Sequence, residues 1–434
     1  MLDQLRSAAR RVQSERQVRA LLADCRRLLS ERGEANGPSI ATGIVAQLDA
    51  LAEEQRLSFF QHLAQDFGPD PQQVLETAQA YAKAPTDPAR LMRLTQAAEP
   101  PRQELFRRLN RAPGGTAALV RLRRALLERL PKLGSLQSVE HDLLHLLSSW
   151  FNPGFLQMRR VDWNSPAQLL EQIIRHEAVH EIDGWDDLRR RLQPDRRCFA
   201  FFHPQLPDEP LIFVEVALVP EMADAIAPLI DKKSQPLPPE QFKVAVFYSI
   251  SNCQPGLRGV SLGNFLIKRV AETLKPELPQ LKTFCTLSPI PGLMGWLHKS
   301  AETFEVLPPA ASERAAQALA ALRAAGSNEL AALTTASSPA RDDPVVQEAL
   351  LTLAAIYLVH ASPTPHGDPV ARFHLDNGAR LERLNARANL SSKGLKQSAG
   401  LMVNYLYDLH RIETCHDRFV HGRVVHSRAV SALL

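Results

Sequence analysis

Apolar residues recur at helical spacing through the first third of the chain. Ile40, Ile44, Val45, Leu48 and Leu51 form one stripe; Leu105, Phe106 and Leu109 begin another; Leu143, Leu144, Leu147 and Trp150 make a third. Proline and glycine clusters interrupt the pattern at 33–38, 68–71, 84–88, 100–101, 113–115 and 131–134. With no strand-like run and no repeating period, residues 1–150 are expected to form an all-α helical bundle domain with short connections. No cluster of polar residues there suggests chemistry, so a role in structure or assembly is the better reading.

Beyond the Phe-Asn-Pro-Gly at 151–154 the pattern changes. A helix is expected over about 166–180. Runs rich in β-branched and aromatic residues then predict strands at 198–203, 211–219, 243–251 and 283–287, with helices at 264–274 and 293–300. The alanine- and proline-bearing stretch near 301–362 reads as a helical insertion, with helices at 312–325 and 345–360. Two further strands, 370–375 and 379–384, are expected to flank Asp376-Asn377-Gly378, because Asn-Gly tolerates the positive φ of a tight hairpin. A helical pattern resumes from about 398. Residues 151–434 are therefore expected to form a second, α+β domain.

The organising stretch of that domain is KVAVFYSISNCQPGLRGVSLGNFLIKRV, residues 243–270. A buried strand leads into a loop with one proline and three glycines, and Phe265, Leu266, Val270 and Leu274 then follow at helical spacing. Strand, glycine-bearing loop and helix can aim backbone N–H groups and a helix N-terminus at an anion. Two rivals exist. Gly259-Val-Ser-Leu-Gly263 also satisfies G-x-S-x-G, but a nucleophile elbow needs its strand to end against the serine, and here a long connection with Pro255 and Gly256 intervenes. The other rival is a plain glycine-containing turn that starts a helix.

Composition narrows the class. At 434 residues, with 45% hydrophobic and 23% charged residues, the chain is long enough for two cores and ordinary for a globular protein. A net charge of +4 calls for neither nucleic acid nor an acidic membrane surface. Cys25, Cys198, Cys253, Cys285 and Cys415 are scattered and odd in number, which suggests reduced thiols and no zinc knuckle. The apolar run 349–359 is too short to span a bilayer. The first thirty residues are arginine-rich, yet Asp3, Glu15, Asp24 and Glu31 argue against a transit peptide, and Ser-Ala-Leu-Leu is no peroxisomal address. Cytoplasmic localisation is the expectation.

Three further constellations could carry chemistry. His176-Glu177-Ala-Val-His180 matches H-E-x-x-H, which on one helix face would offer two imidazoles and a glutamate base to zinc. A third ligand on a later helix is missing, since the next regular segment puts Glu215 in a strand; capping and packing of a helix end is the competing account. Ser288, in LSPIPG, precedes a proline that holds it in extended geometry, either as a turn group or as a rigid catalytic hydroxyl. His374, in RFHL, sits just before the expected hairpin, where a packed side chain is the commoner role.

Together these motifs resemble a known family. FNPGFLQMRRVDWNSPA, HEAVHEI, RRCFAFFHPQLPDEPLIFVEVAL, FYSISNCQPGLRGVSLGNFLIKRV, LSPIPG, RFHLDNGA and GLMVNYLYDL, in this order over 151–409, are similar to malonyl-CoA decarboxylases. The resemblance implies an N-terminal helical bundle followed by an α/β catalytic domain like that of GCN5-related N-acetyltransferases. It also implies conversion of malonyl-CoA to acetyl-CoA and CO2 without a metal or a separate cofactor, coenzyme A being part of the substrate. Carried over by position, it places the catalytic pair on Ser288 and His374. The coenzyme A loop falls on Arg258, Gly259, Val260, Ser261, Leu262, Gly263 and Asn264. Relatives can carry a glutamate where this chain has Ser261, so acid/base work through that position cannot operate here. The alternative on the same fold is an acyl-CoA-dependent N-acyltransferase, and a non-enzymatic one is a CoA-binding scaffold. A homo-oligomer built through the helical domain is expected.

Overall fold

The computed structural model describes residues 2–434 except 31, 263–265, 300–306, 325–332, 335–341 and 365–366, and gives only the backbone for 2–11 and 32–35. The described chain divides into two compact units. The first comprises residues 1–156 with the short segments 203–208 and 254–261; the second takes in the other described residues.

Eight helices make up the first unit among its described residues: α1 (Leu2–Leu29), α2 (Arg32–Ala50), α3 (Glu53–Gln65), α4 (Pro71–Ala82), α5 (Pro88–Ala98), α6 (Pro101–Asn110), α7 (Gly115–Leu127) and α8 (Gln137–Trp150). The apolar stripes meet in one core, where Phe59, Phe60, Leu105, Phe106, Leu119 and Leu143 are fully buried. The helix starts follow local chemistry. Asp70 and Asp87 cap α4 and α5 through their side chains, each with a proline in the first turn. The break expected at 33–38 is instead a kink, with Asn36 at φ −117° inside α2.

The second unit is a mixed sheet covered by helices. Its strands are β1 (Gln157–Val161), β2 (Arg196–Phe202), β3 (Ile212–Val219), β4 (Val244–Asn252), β5 (Thr283–Thr286), β6 (Ser288–Pro289), β7 (Arg380–Asn385) and β8 (Met402–Leu406). Strands β1 to β4 pair antiparallel in sequence order, β4 pairs β5 in parallel, and β8 runs antiparallel to β5, β6 and β7. Every residue of β2 and β3 is buried, as expected of largely apolar strands covered on both faces, and Arg196, Arg197 and Glu215 are buried with them. Helices α9 (Ala167–His176) and α10 (Gly184–Arg191) lie on one face, where Leu170, Ile173 and Leu188 join Cys198, Ala200 and Phe213. On the other face is α12 (Leu266–Glu277); its Arg269 guanidinium sits 5.5 Å from the centroid of the Phe201 ring. A short α11 (Ala227–Ile230) precedes β4.

The remaining helices are α13 (Leu293–Lys299), α14 (Pro309–Ala324), α15 (Pro344–Ile356), α16 (Pro369–Asp376), α17 (Ser392–Ser398), α18 (Ile412–Val420) and α19 (Arg428–Ser431). Helix α15 with the π-helical turn after it, 18 residues, is long and apolar enough to cross a membrane by length and composition. Its Val346, Ala349, Leu350, Leu353 and Ile356 are nevertheless buried, as in a core helix.

Three expectations need correction. The segment 370–375 is not a strand but part of α16. The Asp368 side chain caps it, Pro369 occupies its first turn, and Gly378 at φ +78° ends it, so Asn377-Gly378 is a helix stop and not a hairpin turn. The chain just after 398 does not resume as helix but first forms β8, a strand with partners on both sides, and helix returns only at α18 and α19. The helix expected to reach 180 stops at His176, which breaks the H-E-x-x-H face.

Candidate active site

Ser288 and His374, 86 positions apart, are brought into contact: Ser288 Oγ lies 3.0 Å from His374 Nε2. Strand pairing fixes the serine. It forms β6 with Pro289 and sits opposite Val403 of β8, while Thr286, two residues earlier, places its hydroxyl on the same side. Ser288 Oγ donates to Thr286 Oγ1 at 2.9 Å, and Thr286 Oγ1 also accepts the backbone N–H of Tyr405 at 3.2 Å. The Thr286 carbonyl accepts from Asn404 Nδ2 at 2.8 Å, so this serine hangs on an immobilised strand end.

The histidine is fixed by its helix, by Tyr405 of β8 and by Tyr407 just beyond that strand. His374 lies in the last turn of α16; its ring stacks on that of Tyr405 at 4.7 Å between centroids, and its Nδ1 is 2.9 Å from the Tyr407 hydroxyl. Burial alone pushes its pKa down to about 3, so the imidazole is neutral at physiological pH, with one N–H and one lone pair. The same burial raises the Tyr407 phenol well above its usual value, so it stays protonated. With Ser288 donating to Thr286, the consistent arrangement is Nε2–H donating to Ser288 Oγ and Tyr407 donating to Nδ1. Ser288 is 5% and His374 3% exposed, so these bonds form away from bulk water, where they are strongest.

Asp368 ties the two halves together. It is fully buried; its Oδ1 accepts the N–H groups of Val370 and Ala371 at 2.9 and 3.0 Å, capping the helix that carries His374. Its Oδ2 accepts the N–H of Gly292 at 2.8 Å, in the loop that follows Ser288. A side chain at Gly292 is barred, because its Cβ would fall 2.1 Å from the Tyr357 hydroxyl.

The family model of the malonyl-CoA decarboxylase C-terminal domain matches residues 154–434, and that of the N-terminal domain of the same family matches 67–151. The mitochondrial malonyl-CoA decarboxylase of Anser anser anser is 37% identical over 382 residues, covering 82% of this chain and 75% of the goose protein. The chain belongs to the malonyl-CoA decarboxylase family. Its activity is accordingly the conversion of malonyl-CoA to acetyl-CoA and CO2. The mitochondrial enzyme of Mus musculus is 35% identical over 88% of this chain and 82% of its own length. Among solved structures, malonyl-CoA decarboxylase from Rhodopseudomonas palustris superposes with a TM-score of 0.84 at 46% identity, covering 96% of this chain and 99% of that one.

The decarboxylase loop at 258–264 is described only in part. Arg258, Gly259, Val260 and Ser261 cluster with the helical unit and Leu262 with the sheet unit; Gly263 and Asn264 lie outside the described residues. Gly259 adopts φ +86°, which a side chain would strain. Strand β4 ends at Asn252, nine residues before Ser261, so the nucleophile-elbow reading fails. In H-E-x-x-H, Glu177 is the helix cap residue and its carboxylate faces Ser249 and Ser251, not an open site. Among the described residues, no group of three or more His, Cys, Asp or Glu is gathered as metal ligands.

Sequence reasoning missed Thr286, Asp368, Tyr405 and Tyr407. For Thr286 the signal is its position two residues before Ser288 on one strand face. For the tyrosines it is the alternation Val403-x-Tyr405-x-Tyr407, which goes unread once the segment is taken for helix.

Proposed function

We propose that Ser288 and His374 perform the decarboxylation as a pair, without a metal ion, on a malonyl-CoA whose diphosphate is held by the 258–264 loop. The observation that supports the pairing is the 3.0 Å contact of Ser288 Oγ with His374 Nε2 inside a buried frame of hydroxyls. The substrate carries its own electron sink. When the bond from C2 to the carboxylate breaks, CO2 departs and the electron pair passes to the thioester as an enolate. A proton taken up at C2 then gives acetyl-CoA. The protein must hold the carboxylate out of the thioester plane, stabilise the enolate oxygen and deliver that proton.

Ser288 is assigned the orienting and relay role and His374 that of proton donor. A neutral imidazole suits this, because the enolate carbon is a far stronger base than the ring, and Tyr407 at Nδ1 selects the nitrogen that carries the proton. For the homo-oligomer, the supporting observation is that α4 and α5 have no buried residue and leave Leu75, Leu91 and Met92 exposed.

The deciding experiment incubates purified protein with malonyl-CoA alone and follows acetyl-CoA by mass. Wild type forms it without any acceptor, and Ser288→Ala and His374→Asn form it slowly. A requirement for an amine acceptor would replace this reading with the acyltransferase; wild-type rates in both variants would remove the pair from the chemistry.

A further inference from the structure

The loop segment 254–261 is seated on the helical unit by one buried arginine. Arg123 of α7 is 1% exposed. Its Nη1 donates to the carbonyl of Gly256 at 2.7 Å and its Nη2 to the carbonyl of Arg258 at 2.8 Å. Glu140 of α8, 2.6 Å from Nη2, balances the charge. Gly256 lies so close to α7 that a Cβ there would stand 2.0 Å from the Val120 carbonyl oxygen. Gly259 follows at φ +86°.

The consequence comes from peptide geometry. In a trans peptide the C=O and the N–H of the next residue point in opposite directions. With the Arg258 carbonyl drawn onto Arg123, the Gly259 N–H is turned to the opposite side of the loop. A loop that binds an anion through backbone N–H groups must keep its carbonyls off the anion, and a planar guanidinium spanning two carbonyls two residues apart does this. Lysine could not, having one point of charge and no fork. We infer that Arg123 is a positioning residue for substrate binding: it holds the Gly256 and Arg258 carbonyls back so that the Gly259 N–H faces the diphosphate of coenzyme A, the Arg258 and Val260 N–H groups being bonded within the turn to the Pro255 and Leu257 carbonyls. This rests on the diphosphate reading of the loop.

The test compares malonyl-CoA with malonyl-pantetheine, which lacks the diphosphate and nucleotide. In full-length Arg123→Lys, the KM for malonyl-CoA and the Kd for coenzyme A rise about tenfold, equivalent to about 1.4 kcal/mol. The kcat at saturation and the kinetics with malonyl-pantetheine stay at wild-type values. An unchanged Kd for coenzyme A, or an equal loss with both substrates, overturns the inference. Gly259→Val reports on the underlying reading separately. If it leaves the coenzyme A Kd untouched, the diphosphate does not use this loop; if it weakens binding while Arg123→Lys does not, the loop reading stands and the arginine's role falls. Should Arg123→Lys not fold, Gly256→Ala, which lifts the loop off α7, decides by the same substrate comparison: selective loss of coenzyme A binding supports the inference and unchanged binding overturns it.

Discussion

Asp368 offers the sharpest test of how the catalytic pair is held. Asp368→Asn keeps an oxygen to cap α16 but replaces the other with an NH2 group facing the Gly292 N–H, which Oδ2 now accepts at 2.8 Å. Leaving one buried N–H without an acceptor costs about 1–3 kcal/mol. Loss of the charge adds nothing further, because burial holds the Asp368 carboxyl above its ordinary value and the neutral amide escapes that desolvation. The sheet unit should therefore lose roughly 1–3 kcal/mol in urea unfolding followed by tyrosine and tryptophan fluorescence. The repelled loop also moves Ser288 relative to His374. Misplacement on the order of 1 Å costs about 10²-fold in rate, so kcat should fall by about one to two orders of magnitude with KM for malonyl-CoA little changed. Asp343→Asn is the control, because Asp343 caps α15 in the same way through the Val345 N–H but is only half-buried, with that bond open to solvent. It should cost under about 1 kcal/mol and leave kcat alone. Wild-type kcat in Asp368→Asn, with the stability loss present, would mean that this carboxylate stabilises the helix without setting the Ser288–His374 geometry.

Three further outcomes follow from the same site. His374→Asn and Ser288→Ala should each lower turnover by about 10²–10⁴-fold, and the double variant should be little worse than the poorer single one if the two act as a unit; multiplicative losses in the acetyl-CoA assay would mean independent roles. Exhaustive chelation should leave activity intact, as should His176→Ala, and loss restored by zinc would reinstate the H-E-x-x-H reading. Finally, the His374 pKa is about 3 in the folded chain against an ordinary value of 6.5, so its neutral form contributes stability that is complete above pH 6.5 and is lost as pH falls toward 3. That loss approaches about 5 kcal/mol at the acid end, so urea midpoints measured from pH 7 to pH 4 should fall less steeply for His374→Asn than for wild type; parallel curves would contradict a buried, neutral imidazole.

Legibility in the sequence was uneven for physical reasons. The central strands were readable because β2, β3 and most of β4 are buried on both faces and so run as largely apolar stretches, interrupted only by Arg196, Arg197, Glu215 and the polar end of β4. The 370–378 segment misled because Asn-Gly is a strong hairpin signal, whereas the competing signals bracket it: Asp368 and Pro369 at the start and Gly378 at a stop. Reading those caps first would have put His374 on a helix. Strand β8 escaped because Met402–Leu406 is short, and its stability comes from partners distant in sequence on either side, which no local pattern records. Ser288 and His374 themselves came from the family resemblance. Nothing local in RFHL distinguishes a ligand-facing histidine from a packed one, and only the fold supplies Tyr407 at one nitrogen and Ser288 at the other.

The H-E-x-x-H stretch makes the same point from the opposite side, because its residue types serve the chain and not a ligand. Helix α9 ends at His176, and the chain turns between the buried residues Glu177 and His180, which leaves backbone N–H groups in need of acceptors. Glu177 supplies one: its Oε1 accepts the N–H groups of Val179 and His180, each at 2.8 Å. The same carboxylate accepts from Ser249 Oγ at 2.7 Å and Ser251 Oγ at 3.2 Å, and Ser251 Oγ in turn accepts the Ala178 N–H at 3.1 Å. The turn, its three N–H groups paired, is thereby stitched to β4. A glutamate engaged in this way has no lone pair directed at solvent with which to activate water, and a helix that stops at the first histidine cannot present the second on the same face. The motif's spacing survives in the sequence; the geometry that gives the spacing its meaning does not.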